Sequence, residues 1–366
     1  MRPRRIVMRH VAALVLSAVA ACAGAADYPK PSEADFVATN FKFASGETLP
    51  EVRIHYRTFG RIARDASGHA TNVVLIGHGT GGSGASLVDS PTGTALFAAE
   101  LLGKGQPLDA EKYFVVVPDG LGHGKSSKPS DGLHGRFPHY GYRDMVEAQY
   151  RLLTEGLKVD HLRLAMGTSM GGMQTWMWGE LHPEFMDALM PLASLPAAIA
   201  GRNRMWRKIA IDAIRTDPAF RDGDYASQPA GLQVAAGMLI LMSSNPVVRQ
   251  KAMPTRAQTD AFFDKSAAGA MGSTDANDLA YALDASHDYD PAADLGKIRA
   301  PLLAINSADD LINPPELGIL EAGIARVPHG RAIVIPLSDE TIGHGTHTKA
   351  KLWKEHLAQL LRETER

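Results

Sequence analysis

Apolar positions along the chain fall into two periods. Phe41-Lys42-Phe43 and Val52-Arg53-Ile54-His55-Tyr56 alternate apolar with polar around Gly46 and Pro50, which predicts a leading antiparallel hairpin. Short apolar runs then recur at 73–76, 114–117, 162–166, 188–192, 302–305 and 332–335, each bounded by Gly, Pro or polar residues. Runs of this kind fit strands buried on both faces of a parallel sheet. Segments with helical spacing lie between several of them, such as Met145-Ala148-Leu152 and Leu352-His356-Leu360. Strands alternating with helices predict a doubly wound α/β fold.

The rhythm breaks between about 197 and 289. Helical patterns at 206–215, 232–242 and 259–263 occur there without a convincing strand. The simplest organisation is an α/β core over 26–196 and 290–366, with 197–289 inserted as a helical lid over the active site.

Composition changes this picture in three places. At about 150 residues per domain, 366 residues suggest roughly two domains, enough to bury a sizeable core. The formal net charge of −2, with no basic block beyond the first ten residues, argues against nucleic acid as main partner. A single cysteine excludes a disulfide framework and a thiolate-rich metal site.

Residues 1–25 have the order of an export signal. Arg2, Arg4, Arg5 and Arg9 are followed by an apolar stretch at 11–21, shorter than the ~20 residues of a spanning helix, and then by Ala23-Gly24-Ala25. This predicts cleavage before Ala26 or one residue later and a periplasmic or secreted protein. Val19-Ala20-Ala21-Cys22 also reads as a lipobox, which would anchor the chain by a lipid on Cys22.

The candidate chemistry begins at Gly167-Thr168-Ser169-Met170-Gly171. It follows the run at 162–166 and opens a helical segment, the strand–turn–helix setting that a G-x-S-x-G nucleophile requires. A serine needs a base and an orienting acid, and here they should follow in the order Ser, Asp/Glu, His on loops after later strands. After 302–305 come Asp309 and Asp310; after 332–335 come His344 and His347. His344 is the expected base, with His347 as runner-up. Asp309 is favoured over Asp310 because Asp309-x-Leu311-x-x-Pro314 has the form of an acid loop. A two-histidine metal site lacks carboxylate support, so no metal or cofactor is expected. Oxyanion donors are expected from the backbone N–H of Met170 and of Thr80, the latter in the glycine-rich stretch 78–84. The segment 119–126 fails as a phosphate loop because Asp119 stands where the first Gly is required.

With these residues in place, the chain resembles the homoserine O-acetyltransferase-like branch of the α/β-hydrolase superfamily. The resemblance covers most of the chain. It rests on the run from Gly167 to Gln174, Phe137-Pro138, the segment Arg143 to Gln149, Asp217-Pro218 with Gly223 and Tyr225, Asp275-Ala276-Asn277 and the acid loop. It implies an α/β-hydrolase fold, Ser169, Asp309 and His344 as a triad, and a pair of chains joined through the lid.

Four departures bear on function. The acetyltransferases carry Asp after the catalytic His, where this chain has Gly345. The Arg that would hold the homoserine carboxylate falls at Ile211. The loop Asp119-x-x-Gly122-x-Gly124-x-Ser126 has the form usual in hydrolases. An exported enzyme would not meet acetyl-CoA. These favour an ester hydrolase, with amides or lactones open as substrates, over an O-acyltransferase; a non-catalytic binding protein is the remaining class. In the insertion, Met205, Trp206, Met238 and Met242 are candidates for core or pocket, and Arg202, Arg204 and Arg207 for a solvated face or an anion site.

Overall fold

The computed structural model describes residues 28–88 and 96–365. The export signal and Cys22 therefore lie outside the described residues. Eight strands form one sheet: β1 (Ser32–Lys42), β2 (Thr48–Phe59), β3 (Val73–Gly77), β4 (Phe114–Pro118), β5 (Leu164–Thr168), β6 (Leu189–Leu192), β7 (Leu302–Ser307) and β8 (Gly330–Ile335). Their order is β1-β2-β4-β3-β5-β6-β7-β8, and the chain pairs in parallel from β4 to β8. Only β1 with β2 and β2 with β4 are antiparallel. The leading hairpin is longer than the alternation suggests, in a register that places Phe36 opposite Ile54 and Ala38 opposite Val52.

Every residue of β3, β4, β5, β6 and β7 is buried. Alternate side chains of a strand point to opposite faces, so each strand feeds two cores. Leu75, Val116, Ala165, Leu189 and Leu302 pack on one face. Val74, Ile76, Val115, Val117, Met166 and Ile305 pack on the other.

The helices are α1 (Gly84–Val88), α2 (Leu96–Leu102), α3 (Tyr142–Arg151), α4 (Met170–Leu181), α5 (Gly201–Arg215), α6 (Gly231–Ser243), α7 (Pro246–Ala252), α8 (Arg256–Ser273), α9 (Ala276–Asp284), α10 (Ile319–Ile324) and α11 (Lys354–Glu363). Five of them, α5 to α9, lie between β6 and β7, where the described residues form no strand. They bury a core of their own, which includes Trp206, Ala210, Ile211, Ile214, Leu232, Met242, Leu279 and Leu283. None of the described helices is by itself long and apolar enough to cross a membrane.

The sequence pieces that carry the family resemblance are the ones that interlock. Trp178 Nε1 of α4 donates to Gln149 Oε1 of α3 at 2.9 Å, and Gln149 Nε2 donates to Gln174 Oε1 at 2.7 Å. That buried chain fixes α4 against α3. Within the insertion, the Tyr225 hydroxyl donates to Asp275 Oδ1 at 2.7 Å and accepts from the Asn277 N–H at 3.0 Å. Asn277 Nδ2 in turn donates to the Gly223 carbonyl at 2.9 Å. These contacts tie the start of α9 to the segment around Gly223 and Tyr225.

Candidate active site

Ser169 sits on the turn between β5 and α4 with φ 55° and ψ −111°, a conformation that is costly for a residue with a Cβ. Close backbone approach on both sides enforces the turn. A Cβ on Gly167 would meet the Gly171 carbonyl carbon at 2.4 Å, and one on Gly171 would meet the Gly77 carbonyl oxygen at 2.3 Å. The two glycines of G-x-S-x-G thus let α4 start directly over β3 and β5, with the serine hydroxyl at the strand ends.

His344 reaches this hydroxyl from the loop after β8. Its Nε2 lies 2.8 Å from Ser169 Oγ, and its Nδ1 lies 2.8 Å from Asp310 Oδ2. The imidazole is 6% exposed and Asp310 1%. Asp310 also accepts from the N–H groups of Ile312 (2.8 Å) and Asn313 (3.1 Å) and from Asn313 Nδ2 (3.2 Å). Burial by itself pushes the Asp310 carboxyl up. The facing His344 charge, its hydrogen bond and the two backbone donors outweigh burial and hold it below the usual aspartate value.

The carboxylate at the histidine is therefore Asp310, and the expectation of Asp309 is corrected. The loop leaves β7 through a turn in which the Asp310 N–H bonds to the Ser307 carbonyl, and this carries the Asp310 side chain inward. Asp309, one residue earlier, meets the backbone of the histidine loop rather than the imidazole. Its Oδ2 accepts from the Gly343 N–H at 2.8 Å and from Asn245 Nδ2. Asn245 caps α7, its Oδ1 accepting from the N–H groups of Val247 and Val248. Asp309 and Asn245 thus tie the acid loop, the histidine loop and the insertion together. Asn245 was not among the expected site residues, although Asn followed by Pro is a helix-start signal.

His347 lies beside His344 with ring centroids 5.2 Å apart. Burial, and then the neighbouring His344, push its pKa down to about 3, so it stays uncharged. It contacts neither Ser169 nor a carboxylate. Among the described residues no group of three His, Cys, Asp or Glu is arranged to hold a metal ion.

Of the two expected oxyanion donors, Thr80 lines the same cavity as Ser169 and Met170 follows the serine directly in the chain. Met170 is the first residue of α4, where an N–H has no partner within the helix. Thr80 lies on the loop after β3, and its carbonyl faces His123 Nε2 at 3.2 Å. Burial first, then the nearby His78, push the His123 pKa down to about 4, which keeps its ring neutral. The loop of His123 is organised by buried Asp119, which accepts from Arg57 Nη1, the Gly84 N–H and the Lys125 N–H at 2.8–2.9 Å. The segment that failed as a phosphate loop therefore braces the oxyanion loop.

Ser169, His344 and Thr80 open on a cavity of about 780 Å³. Its far walls come from the insertion, including Trp206, Arg207, Leu239, Ile240, Asp278 and Leu279. Of the four candidate lid side chains, only Trp206 lines it. Met205 is 65% exposed, Met242 is buried in the insertion core and Met238 packs against that core.

A serine on a strand–helix turn, hydrogen-bonded to a histidine at the carboxyl ends of a mostly parallel sheet, defines a protein of the α/β-hydrolase fold. A family model for the alpha/beta hydrolase fold matches residues 72–342, and the chain belongs to that family. Homoserine O-acetyltransferases are among the proteins to which the chain is similar. A homoserine O-acetyltransferase from Thermobifida fusca (strain YX) is 36% identical over 196 residues, half of this chain and half of that protein. The match therefore spans only about half the length of this relative. A probable acyltransferase from Methanothermobacter thermautotrophicus is 30% identical over 77% of this chain and 84% of its own length. Among solved structures, the acetyl esterase MekB superposes with a TM-score of 0.75 at 25% identity, over 90% of this chain and 97% of that one.

Proposed function

We propose that this protein is a serine ester hydrolase working through an acyl-enzyme on Ser169. The observation that carries this reading is the unbroken chain Asp310–His344–Ser169, with 2.8 Å at each link, opening on the cavity. His344 Nε2 takes the hydroxyl proton as Ser169 Oγ attacks the ester carbonyl. Asp310, ionised and buried, holds the Nδ1–H and stabilises the imidazolium. The N–H groups of Met170 and Thr80 receive the negative charge that develops on the carbonyl oxygen. The imidazolium then gives its proton to the departing alkoxide. Water attacks the acyl-enzyme, His344 takes the proton of that water, and collapse of the second tetrahedral species frees the acid and Ser169.

Transfer of the acyl group to an alcohol, as the names of the homoserine O-acetyltransferase relatives suggest, is the second reading. Gly345 and Ile211 speak against it. Ile211 is 3% exposed in the core of the insertion, where it has no access to the cavity. In the hydrolase reading α5 to α9 act as a lid. The basic, apolar and small-residue order of 2–25 supports export, and a mature protein that keeps Met1 would contradict it.

A fluorophosphonate probe tests the nucleophile. One adduct per chain should form on Ser169, and Ser169→Ala should lose both the adduct and at least about 10³-fold of kcat on p-nitrophenyl acetate. Full ester turnover by Ser169→Ala would refute the mechanism.

A further inference from the structure

We infer that Arg207 forms a carboxylate subsite in the active cavity, so that the preferred substrate is an ester carrying a negative charge away from the scissile bond. This rests on the hydrolase reading and adds the class of substrate.

Arg207 lies on α5, is 2% exposed and lines the same cavity as Ser169 and His344. A guanidinium has five N–H donors. Nε donates to Asn203 Oδ1 at 3.2 Å and Nη1 to the Leu283 carbonyl at 3.3 Å, and both acceptors are neutral. Its plane lies over the Trp206 ring, 4.9 Å from the centroid. No carboxylate among the described residues forms an ion pair with it, whereas buried arginines are ordinarily paired.

The carboxylates of the cavity wall are engaged elsewhere. Asp275 accepts from the Tyr225 hydroxyl, Gln228 Nε2 and the Asn277 N–H. Asp278 accepts from the Ser130 N–H and hydroxyl. The wall's other cation, Lys128, is paired with Asp131. Burial, and with it the like charge of Arg204, pulls the Arg207 pKa down, against the influence of the Tyr142 hydroxyl.

Arg207 is also not the only polar group left wanting in this corner. The Tyr142 hydroxyl lies against both Arg207 and the Thr80 hydroxyl, yet neither hydroxyl completes a well-formed hydrogen bond. Trp206 Nε1 is buried without a partner as well. Thr80, Trp206 and Arg207 all line the cavity, with Tyr142 buried against Thr80 and Arg207, so this wall holds one cation and neutral donors without partners. A monoanion that accepts several hydrogen bonds fits this set, and a planar carboxylate matches the guanidinium fork. A phosphate dianion fits less well, because the wall supplies one free cation and two carboxylates. Position on the helix matters too: Ile211, one turn further along α5, points into the insertion core, whereas Arg207 faces the cavity.

The test compares matched esters. On the acyl side, p-nitrophenyl hydrogen glutarate is set against p-nitrophenyl valerate. On the alcohol side, 4-acetoxybutanoate is set against its methyl ester. The native enzyme should favour the carboxylate in one pair by about tenfold or more in kcat/KM, mainly through KM, and the pair that responds shows which side of the bond the subsite serves. In Arg207→Met that ratio should fall to about one, and Arg207→Lys should restore part of it. Glutarate should raise the Tm of native protein and of Ser169→Ala but not of Arg207→Met, a readout that needs no turnover. The absence of any carboxylate preference together with the absence of a glutarate shift in native protein would overturn the subsite, even if Arg207→Met failed to fold. A preference that survives in Arg207→Met would overturn it too. Loss of neutral-ester turnover in native protein, with the glutarate shift intact, would instead count against the hydrolase reading alone.

Discussion

Asp309 and Asp310 are neighbours in sequence, yet their carboxylates do different work. Asp310 sits under His344 with four hydrogen bonds to its two oxygens, whereas Asp309 braces the backbone at Gly343 and the Asn245 side chain. Replacing Asp310 by Asn would put an amide where the imidazolium needs a charge and would favour the wrong tautomer. We expect Asp310→Asn to lose roughly 10³–10⁴-fold in kcat on p-nitrophenyl acetate. Asp309→Asn removes charge from a neutral hydrogen-bond cluster and should cost less than about tenfold, the scale of one ordinary hydrogen bond. Steady-state kinetics of the two variants at matched circular dichroism checks this, and a larger loss in Asp309→Asn would reverse the assignment. The sequence pattern Asp309-x-Leu311-x-x-Pro314 pointed to the wrong one of the two residues. Both have downstream N–H groups at the spacing that an aspartate turn uses, and the choice is made by a turn at Ser307 that composition does not encode.

At the scale of elements, the central strands were legible because they are buried on both faces and read as continuous apolar runs. Boundaries were less so: Leu162, counted with β5, only bridges to Met186 before the strand starts at Leu164. In the insertion, α7 and α9 escaped notice because each is nine residues or fewer, too short to show periodicity. Their polar caps, Asn245 and Asp275, were the available signal. The α4 helix starts just after Ser169 and also carries Glu180 near its far end. Burial, and then the nearby Asp294, push the Glu180 pKa up from 4.5 to about 8, and its Oε1 is buried without a partner. A carboxyl that holds its proton more tightly when folded loses stabilising influence as pH rises from its unfolded value through its folded one. Glu180→Gln should therefore match native protein in Tm near pH 5 and exceed it increasingly up to about pH 8.5. A difference in Tm that stays constant with pH would show that Glu180 is not the group responsible.

At the scale of the molecule, the sheet supplies a rigid floor and the insertion supplies the cavity roof. The sequence could place the insertion but not fold it, since which side chains face the cavity depends on how five helices pack. Arg207 illustrates this: the sequence of its helix leaves a solvated basic face and an anion site equally open, and the packing buries this one arginine at the cavity. The outer surface of the insertion exposes Met205, Leu241 and Val247 at 65%, 62% and 56%, and Ile209, Val234 and Phe263 to a lesser degree. We propose that two copies pair through the insertion and cover exposed apolar side chains of this set, since exposed apolar area can mark interaction sites. Light scattering should return twice the mass of one chain, and Leu241→Asp with Met205→Asp should halve it. A native protein that stays monomeric at tens of micromolar would exclude the pairing.

The central claim is that water, rather than an alcohol acceptor, takes the acyl group from Ser169. Purified protein is incubated with p-nitrophenyl acetate, with and without L-homoserine and without acetyl-CoA. The p-nitrophenol, acetate and O-acetylhomoserine are quantified together, with Ser169→Ala as control. Acetate should equal p-nitrophenol in both reactions. O-Acetylhomoserine accounting for a substantial share of the p-nitrophenol released would contradict the account and make the protein an acyltransferase despite Gly345 and Ile211.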